Sequence, residues 1–121
     1  MKYFPFFMEL SKQSVLIIGG GEVAERKLDL LIKANANVTL VSPEFTENIK
    51  NLSKQNFFKC ITDEYSDKYL DNNNYTFVIV ATNNEKLNEK IASDAKQKNF
   101  KCIAGEYSDK YLDNNNYTFV I

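Results

Sequence analysis

The sequence predicts an open α/β fold, in which a parallel sheet carries helices on both faces. Short apolar segments alternate along the chain with longer segments whose apolar residues recur every three or four positions. The first pattern is typical of buried strands and the second of amphipathic helices. This alternation implies parallel strands joined by right-handed crossovers. The chain has 121 residues, so we expect a single domain spanning residues 1–121.

Five strands and three helices are predicted before the last segment. The strands share aliphatic, β-branched or aromatic residues and lie at 14–18, 37–41, 57–61, 75–81 and 100–104. The first helix spans 22–34 and ends at Asn35, which tolerates a left-handed conformation. Ser42 and Pro43 predict the N-cap and first residue of the second helix. Thr82 and Glu85 predict a capping box that opens the third, and one helical turn is expected at 66–70.

An internal repeat occupies the end of the chain. Residues 100–121 repeat residues 58–79, and the copies differ only where Thr62 and Asp63 become Ala104 and Gly105. We interpret the second copy as a partial duplication that adds strands to the open edge of the sheet. Residues 117–121 then form a sixth strand, and the predicted strand order is 3-2-1-4-5-6. Alternatively, the two copies compete for one place in the sheet, which favours strand exchange between two chains.

Composition excludes several classes of function. The net charge is −1, so there is no basic excess for binding nucleic acid or an anionic membrane. The chain has no His, which excludes a histidine base and a His-ligated metal within it. Cys60 and Cys102 are too few for a Cys-rich metal cluster, and buried inert thiols are expected. We therefore expect no metal site, and a cytoplasmic protein without a membrane span.

A glycine-rich turn is the strongest functional motif. Gly19, Gly21 and Ala24 fit the spacing G-x-G-x-x-A, directly after a predicted strand and at the start of a predicted helix. In this Rossmann-like context the first glycine permits a tight turn and the second lets the backbone approach a pyrophosphate. The free N–H groups of the helix N-terminus then bind the phosphates. The alternative is a glycine-rich turn without a ligand.

Two other strand ends complete the predicted dinucleotide site. Ser42 and Pro43 stand where an acidic residue is expected after the second strand. No Lys or Arg lies within residues 43–48 to hold a 2′-phosphate, so a modest preference for NAD over NADP is predicted. Thr82 follows the fourth strand, at the crevice where such sheets bind ligands. Both Ser42 and Thr82 have an alternative role as helix caps.

From residue 3 to about residue 103 the chain resembles the N-terminal NAD-binding domain of the siroheme synthase and precorrin-2 dehydrogenase family. The resemblance rests on YFPFFMEL, SVLIIGGGEVAERK, NVTLVSPE and VIVATNNEKLN. Members of this family oxidise precorrin-2 to sirohydrochlorin with NAD, and some also insert iron. The resemblance therefore implies an NAD-dependent oxidoreductase with a tetrapyrrole substrate, acting as a homodimer.

The resemblance also implies roles for particular residues. The pyrophosphate turn would consist of consecutive residues, namely Gly19, Gly20, Gly21, Glu22 and Val23. Ser42 and Pro43 would line the adenosine side, and Thr82 the nicotinamide side. The family's catalytic aspartate usually follows the fifth strand, where the nearest equivalents here are Glu106 and, as a substitute, Asp109.

Three alternatives to the enzyme stay open on the sequence alone. The first is a non-enzymatic nucleotide-sensing module with the same motif. The second is a truncated domain that binds NAD without turnover, and the third is a structural module that has lost ligand binding. Titration with NAD separates the binding modules from the last class, and turnover of precorrin-2 separates the enzyme from all of them.

Overall fold

The computed structural model describes residues 11–71, 75–98, 100–104 and 117–120, with the backbone alone described for 101–104 and 117–120. Within these residues, six parallel strands form one sheet, and they are β1 Ser14–Ile18, β2 Asn37–Ser42, β3 Lys59–Thr62, β4 Phe77–Val80, β5 Lys101–Ala104 and β6 Tyr117–Val120. The helices are α1 Glu22–Lys33, α2 Glu47–Ser53, α3 Glu85–Gln97 and a 3-10 turn at Asp67–Leu70. The predicted open, parallel, Rossmann-like sheet is confirmed.

The strand order is β3-β2-β1-β4-β6-β5. The predicted order of the inner four strands, 3-2-1-4, is confirmed, and so is a sixth strand in the repeated segment. The predicted order of the outer two is wrong, because β6 lies between β4 and β5 instead of at the edge. The physical reason is composition. β6 consists of strand-forming residues and suits an interior position, whereas β5 begins with Lys101, which is typical of an edge strand.

Strands β4 and β6 come from the two copies of the repeated segment and pair with each other. Phe77 of β4 stands opposite Tyr117 of β6, and Val80 stands opposite Val120. The two copies are therefore offset by two residues in the sheet.

The core has two layers, one on each face of the sheet. In β1, Val15 and Ile17 belong to one buried cluster and Leu16 and Ile18 to the other. The first cluster includes residues of α1 and α2, such as Leu28 and Ile49, and the second includes Ile91 of α3. A central strand buried on both faces explains the continuous apolar run in the sequence.

Helix α1 follows its predicted limits closely. It begins after Gly21 and ends at Lys33, with Ala34 as C-cap. Asn35 adopts a left-handed conformation with φ of 60°, as predicted. Its amide N–H donates to the carbonyl oxygen of Ile32 at 2.9 Å, which closes the helix end. The predicted helix at 22–34 is thus confirmed to within one residue.

The predicted caps of α2 and α3 are wrong. Thr46 is the N-cap of α2 and accepts from the amide of Ile49, whereas Ser42 lies in β2. Asn84 is the N-cap of α3 and accepts from the amide of Leu87, so Thr82 does not form a capping box with Glu85. In both cases the side chain predicted as a cap makes a different contact, described with the site below.

The 3-10 turn is attached to α3 by polar contacts. The Tyr65 hydroxyl donates to Oδ2 of Asp94 at 2.8 Å, and Lys90 Nζ lies 2.9 Å from the same oxygen. Burial and the hydrogen bond to Asp94 raise the pKa of Tyr65. Burial opposes ionisation of Asp94, but its bonds to Lys90 and Tyr65 lower its pKa overall. The Tyr65 hydrogen bond therefore joins the segment before the 3-10 turn to α3. None of the described helices is long and apolar enough to cross a membrane.

Candidate dinucleotide site

A cleft of about 750 Å³ opens at the carboxyl ends of β1, β2 and β4. It is lined by the turn after β1, the loop between β2 and α2, and the start of the segment after β4. All eight residues predicted to bind a cofactor line this cleft, and they are Gly19, Gly20, Gly21, Glu22, Val23, Ser42, Pro43 and Thr82. Its volume lies in the range of ligand pockets, and its position is the switch point of the sheet.

The first two glycines of the turn are enclosed by protein. Gly19 has φ of +138°, a conformation that favours glycine, and a Cβ there would lie 2.2 Å from the carbonyl oxygen of Ala81. A Cβ on Gly20 would lie 2.1 Å from the carbonyl oxygen of Glu44. The sequence motif assigns a role to Gly19 but none to Gly20. Gly20 is needed because the loop after β2 crosses directly over it.

The third glycine faces open space. A Cβ on Gly21 would meet no protein atom within 4 Å. Gly21 is also the N-cap of α1, and no side chain caps this helix, whereas Thr46 and Asn84 cap α2 and α3. The first amides of α1 therefore lack a protein acceptor of that kind and lie beside an open cradle. This arrangement fits a pyrophosphate, whose oxygens would accept from those amides.

The loop after β2 is fixed by Ser42. The Ser42 hydroxyl donates to the carbonyl oxygen of Glu44 at 2.7 Å, and the Glu44 amide lies 3.4 Å from Ser42 Oγ. Ser42 is buried while Pro43 and Glu44 are exposed in the cleft lining. Ser42 therefore shapes the β2 side of the cleft, where the adenosine is predicted, through the backbone, instead of capping α2.

Glu25 of α1 joins this loop to the helix. Its Oε1 accepts from the Thr46 hydroxyl at 2.6 Å, and its Oε2 accepts from Asn48 Nδ2 at 3.3 Å. The Thr46 amide also donates to the carbonyl oxygen of Gly20 at 3.0 Å. Sequence reasoning missed Glu25, because the contact spans 21 residues. The sequence pattern that could have predicted the N-cap of α2 is Thr46, a favourable capping residue, directly before Glu47.

Replacing Glu25 by alanine should loosen this loop. We expect a loss of about 1–2 kcal/mol in the free energy of unfolding, because two hydrogen bonds to a half-buried carboxylate disappear. Urea denaturation measures the effect. Asp29→Ala on the same helix is the matched control, since its ion pair with Lys33 is exposed and should change stability by less than about 0.5 kcal/mol. Equal losses in the two variants would contradict the role of Glu25.

Thr82 is held by Asn88 of α3. The Thr82 hydroxyl donates to Asn88 Oδ1, and Asn88 Nδ2 donates to the carbonyl oxygen of Thr82 at 3.0 Å. Asn88 is buried, so both of its polar groups need these partners. The Thr82 hydroxyl also accepts from the amide of Asn84 at 3.2 Å. This network fixes the backbone on the β4 side of the cleft, where the nicotinamide was predicted.

The described residues that line the cleft carry only acidic charge. They include Glu22 and Glu44, and none of these described residues is a Lys or Arg. The buried Lys27 lies on α1, where burial and neighbouring Arg26 lower its pKa. Burial raises the pKa of the Cys60 thiol, which favours the unreactive protonated form.

The structure bears on the predicted metal and catalytic sites as follows: the described residues contain no group of three or more His, Cys, Asp or Glu side chains placed to hold a metal ion. Glu106 and Asp109, predicted as catalytic, lie outside the described residues.

The fold and the cleft together define a dinucleotide-binding α/β domain. Residues 6–109 match the model of the NAD(P)-binding family, and the chain belongs to that family. The siroheme synthase of Psychrobacter sp. (strain PRwf-1) is 43% identical over 88 residues, which cover 73% of this chain and 18% of that protein. The siroheme synthase of Pseudoalteromonas translucida (strain TAC 125) is 40% identical over the same shares.

A solved structure supports the same relationship. The precorrin-2 dehydrogenase SirC matches with a TM-score of 0.67 and 25% sequence identity, over 92% of this chain and 54% of that one. The resemblance to the siroheme synthase and precorrin-2 dehydrogenase family is confirmed. The chain spans 18% of the length of the two siroheme synthases and about half of SirC.

Proposed function

We propose that this chain supplies the NAD-binding domain of a precorrin-2 dehydrogenase, and that the protein oxidises precorrin-2 to sirohydrochlorin in siroheme biosynthesis. The observation that carries the proposal is the open cradle at Gly21 beside the uncapped start of α1. The siroheme synthases and the precorrin-2 dehydrogenase that resemble the chain give the reaction class. We also propose that residues 1–121 form one domain.

The described residues have distinct roles in this proposal. Gly19 makes the turn, Gly21 leaves room for the pyrophosphate, and the amides of Glu22 and Val23 face it at the helix start. Ser42 and Pro43 border the adenosine side. NAD, when bound, supplies the acceptor for the hydride that leaves the substrate. Thr82 borders the nicotinamide side, where its fixed backbone orients the ring.

Glu106, or Asp109 as a substitute for it, is proposed as the group that accepts a proton from the substrate. A carboxylate near the reacting carbon is a suitable general base, because hydride loss leaves a C–H or N–H proton to be removed. Glu106→Gln and Asp109→Asn, each assayed for kcat and for NAD affinity, separate the two. The variant that lacks the base should lose most of its kcat and keep its NAD affinity. If both variants retain full kcat, neither residue is the base.

Two measurements test the proposed function. Calorimetric titration with NAD should show binding by the chain. Addition of precorrin-2 to the full-length protein with NAD should produce NADH, seen as absorbance at the reduced nicotinamide band. NADH formation supports the enzyme. Absence of NAD binding by the chain would contradict the site itself.

A second candidate is a module that binds NAD without turnover. Among the described residues of the cleft lining there is no cation for a substrate that carries several carboxylates. If this chain acts without further protein, NAD binding with no NADH formation is the expected result. The family's siroheme synthases are much longer, so further residues are available there to bind the tetrapyrrole.

We further propose a cytoplasmic homodimer. The repeated segment supports it, since two near-identical strand segments can be exchanged between chains. Sedimentation equilibrium tests the assembly, and a monomer at micromolar concentration would contradict it.

A further inference from the structure

Asn88 of α3 holds the segment after β4 from outside the cleft. It is only 8% exposed and is not among the described residues that line the cleft, whereas Thr82 is. The carbonyl oxygen of Thr82 can only accept a hydrogen bond, and it therefore fixes which way the amide of Asn88 points. Asn88 Nδ2 donates to that oxygen at 3.0 Å, and Asn88 Oδ1 accepts from the Thr82 hydroxyl. One buried side chain thus binds both the backbone and the side chain of Thr82.

The hydroxyl of Thr82 is used within this network. Its proton is directed to Asn88 Oδ1, with the carbonyl oxygen of Asn84 at 3.3 Å as a second acceptor. Its oxygen accepts from the amide of Asn84 at 3.2 Å. A hydroxyl has a single proton to donate, so Thr82 cannot donate to a ligand while these bonds hold. What Thr82 offers a ligand is the position of its backbone, and Asn88 fixes that position.

The other half of the cleft is held by separate contacts. The Thr46 amide donates to the carbonyl oxygen of Gly20 at 3.0 Å, and the Thr46 hydroxyl donates to Glu25 at 2.6 Å. These bonds join the loop after β2 to the glycine turn and to α1, and none of them involves α3. A change at Asn88 should therefore affect the β4 side of the cleft and leave the glycine turn in place.

We infer that Asn88 is the positioning residue for the nicotinamide half of the dinucleotide. This inference rests on the proposed function, in which Thr82 borders the nicotinamide side of the cleft. Without Asn88, the carbonyl and hydroxyl of Thr82 lose the partner that fixes them, and the segment after β4 must be ordered when the ligand binds. That ordering lowers the affinity for the nicotinamide half. Asn88 acts through Thr82 and touches neither the cofactor nor the substrate.

Calorimetric titration with NAD and with ADP-ribose tests this inference, because ADP-ribose has the adenosine and the pyrophosphate but no nicotinamide. Asn88→Ala should lower the affinity for NAD about tenfold and the affinity for ADP-ribose less than about twofold. Asn88→Asp keeps the volume and an acceptor but, when ionised, has no proton for the Thr82 carbonyl oxygen, so the same selective loss is expected. Thr82→Val should also lose affinity for NAD selectively. Added to Asn88→Ala it should cause little further loss, because both substitutions act on one network.

Ile91→Val is the matched control for a general loss of stability. Ile91 is buried on the same helix, and its side chain makes no hydrogen bond. Trimming it should lower the melting temperature by leaving a small cavity in the core. The ratio of the affinities for NAD and ADP-ribose should stay at the wild-type value in this variant.

The outcomes separate this inference from the proposed function. If Asn88→Ala binds both ligands as the wild type does, or loses affinity for both equally, the role of Asn88 is wrong while the dinucleotide site stands. Additive losses in the double variant would mean that Asn88 does not act through Thr82, which also overturns it. Should Asn88→Ala fail to fold, Asn88→Asp and Thr82→Val give the same comparison. If the wild type binds neither ligand, the proposed function fails and the inference fails with it.

Discussion

Replacing Gly21 by valine is expected to abolish NAD binding while the domain stays folded. The position has no protein atom within 4 Å of an added Cβ, so the space it would fill is the space proposed for the pyrophosphate. A branched side chain there blocks the close approach of the phosphates to the first amides of α1. We expect the affinity for NAD to fall at least about 100-fold, equivalent to about 2.7 kcal/mol of binding free energy.

The fold should tolerate this substitution. The backbone of Gly21 has φ of −93° and ψ of −159°, which other residues adopt without strain. The free energy of unfolding should fall by less than about 1 kcal/mol, since glycine is only a moderately favourable N-cap. Calorimetry measures NAD binding and thermal unfolding measures stability. Unchanged affinity in a folded Gly21→Val variant would show that the cradle does not hold the pyrophosphate.

The central part of the fold could be predicted from the sequence because its signals are local. The strand at 14–18 has the same limits in the structure, and Asn35 ends α1 in the expected conformation. The residues expected at the carboxyl ends of β1, β2 and β4 do converge on one cleft. Parallel strands place these ends at one edge, so strand assignment alone brought them together.

The helix caps could not be predicted because two polar side chains compete for each role. Ser42 and Thr82 have the composition of caps, but their hydroxyls bind Glu44 and Asn88. Nearby Thr46 and Asn84 then cap the helices. Only the path of each loop decides which hydroxyl or amide lies over a helix end. The N-caps of α2 and α3 were therefore predicted four and two residues too early.

The order of the outer strands depends on competition across the whole sheet. The prediction followed chain order and placed the last strand at the edge, although Lys101 in β5 is more typical of an edge strand than the residues of β6. In the structure, β6 pairs with β4 on one side and β5 on the other. The close approach of Glu44 to Gly20 was missed for a similar reason, since it depends on the path of the loop after β2.

Replacing Gly20 by valine should have the opposite effect to Gly21→Val, with a loss of stability as the primary defect. An added Cβ would lie 2.1 Å from the carbonyl oxygen of Glu44, 2.8 Å from Phe45 Cδ1 and 2.9 Å from Ser42 Cβ. The nearest of these atoms is backbone, so no rotation of a side chain relieves the contact. The loop must move away from the turn, which disrupts its hydrogen bond from Thr46 to Gly20.

We expect Gly20→Val to lower the free energy of unfolding by about 3 kcal/mol, in the upper range of overpacking effects. For a domain of this size that corresponds to a fall of about 10 °C or more in the melting temperature. Thermal and urea unfolding measure the change, with Gly21→Val as the matched control one residue away. NAD at saturating concentration should recover part of the lost stability, because binding favours the folded state. Equal melting temperatures for Gly20→Val and Gly21→Val would mean that the loop after β2 does not pack against the glycine turn in solution.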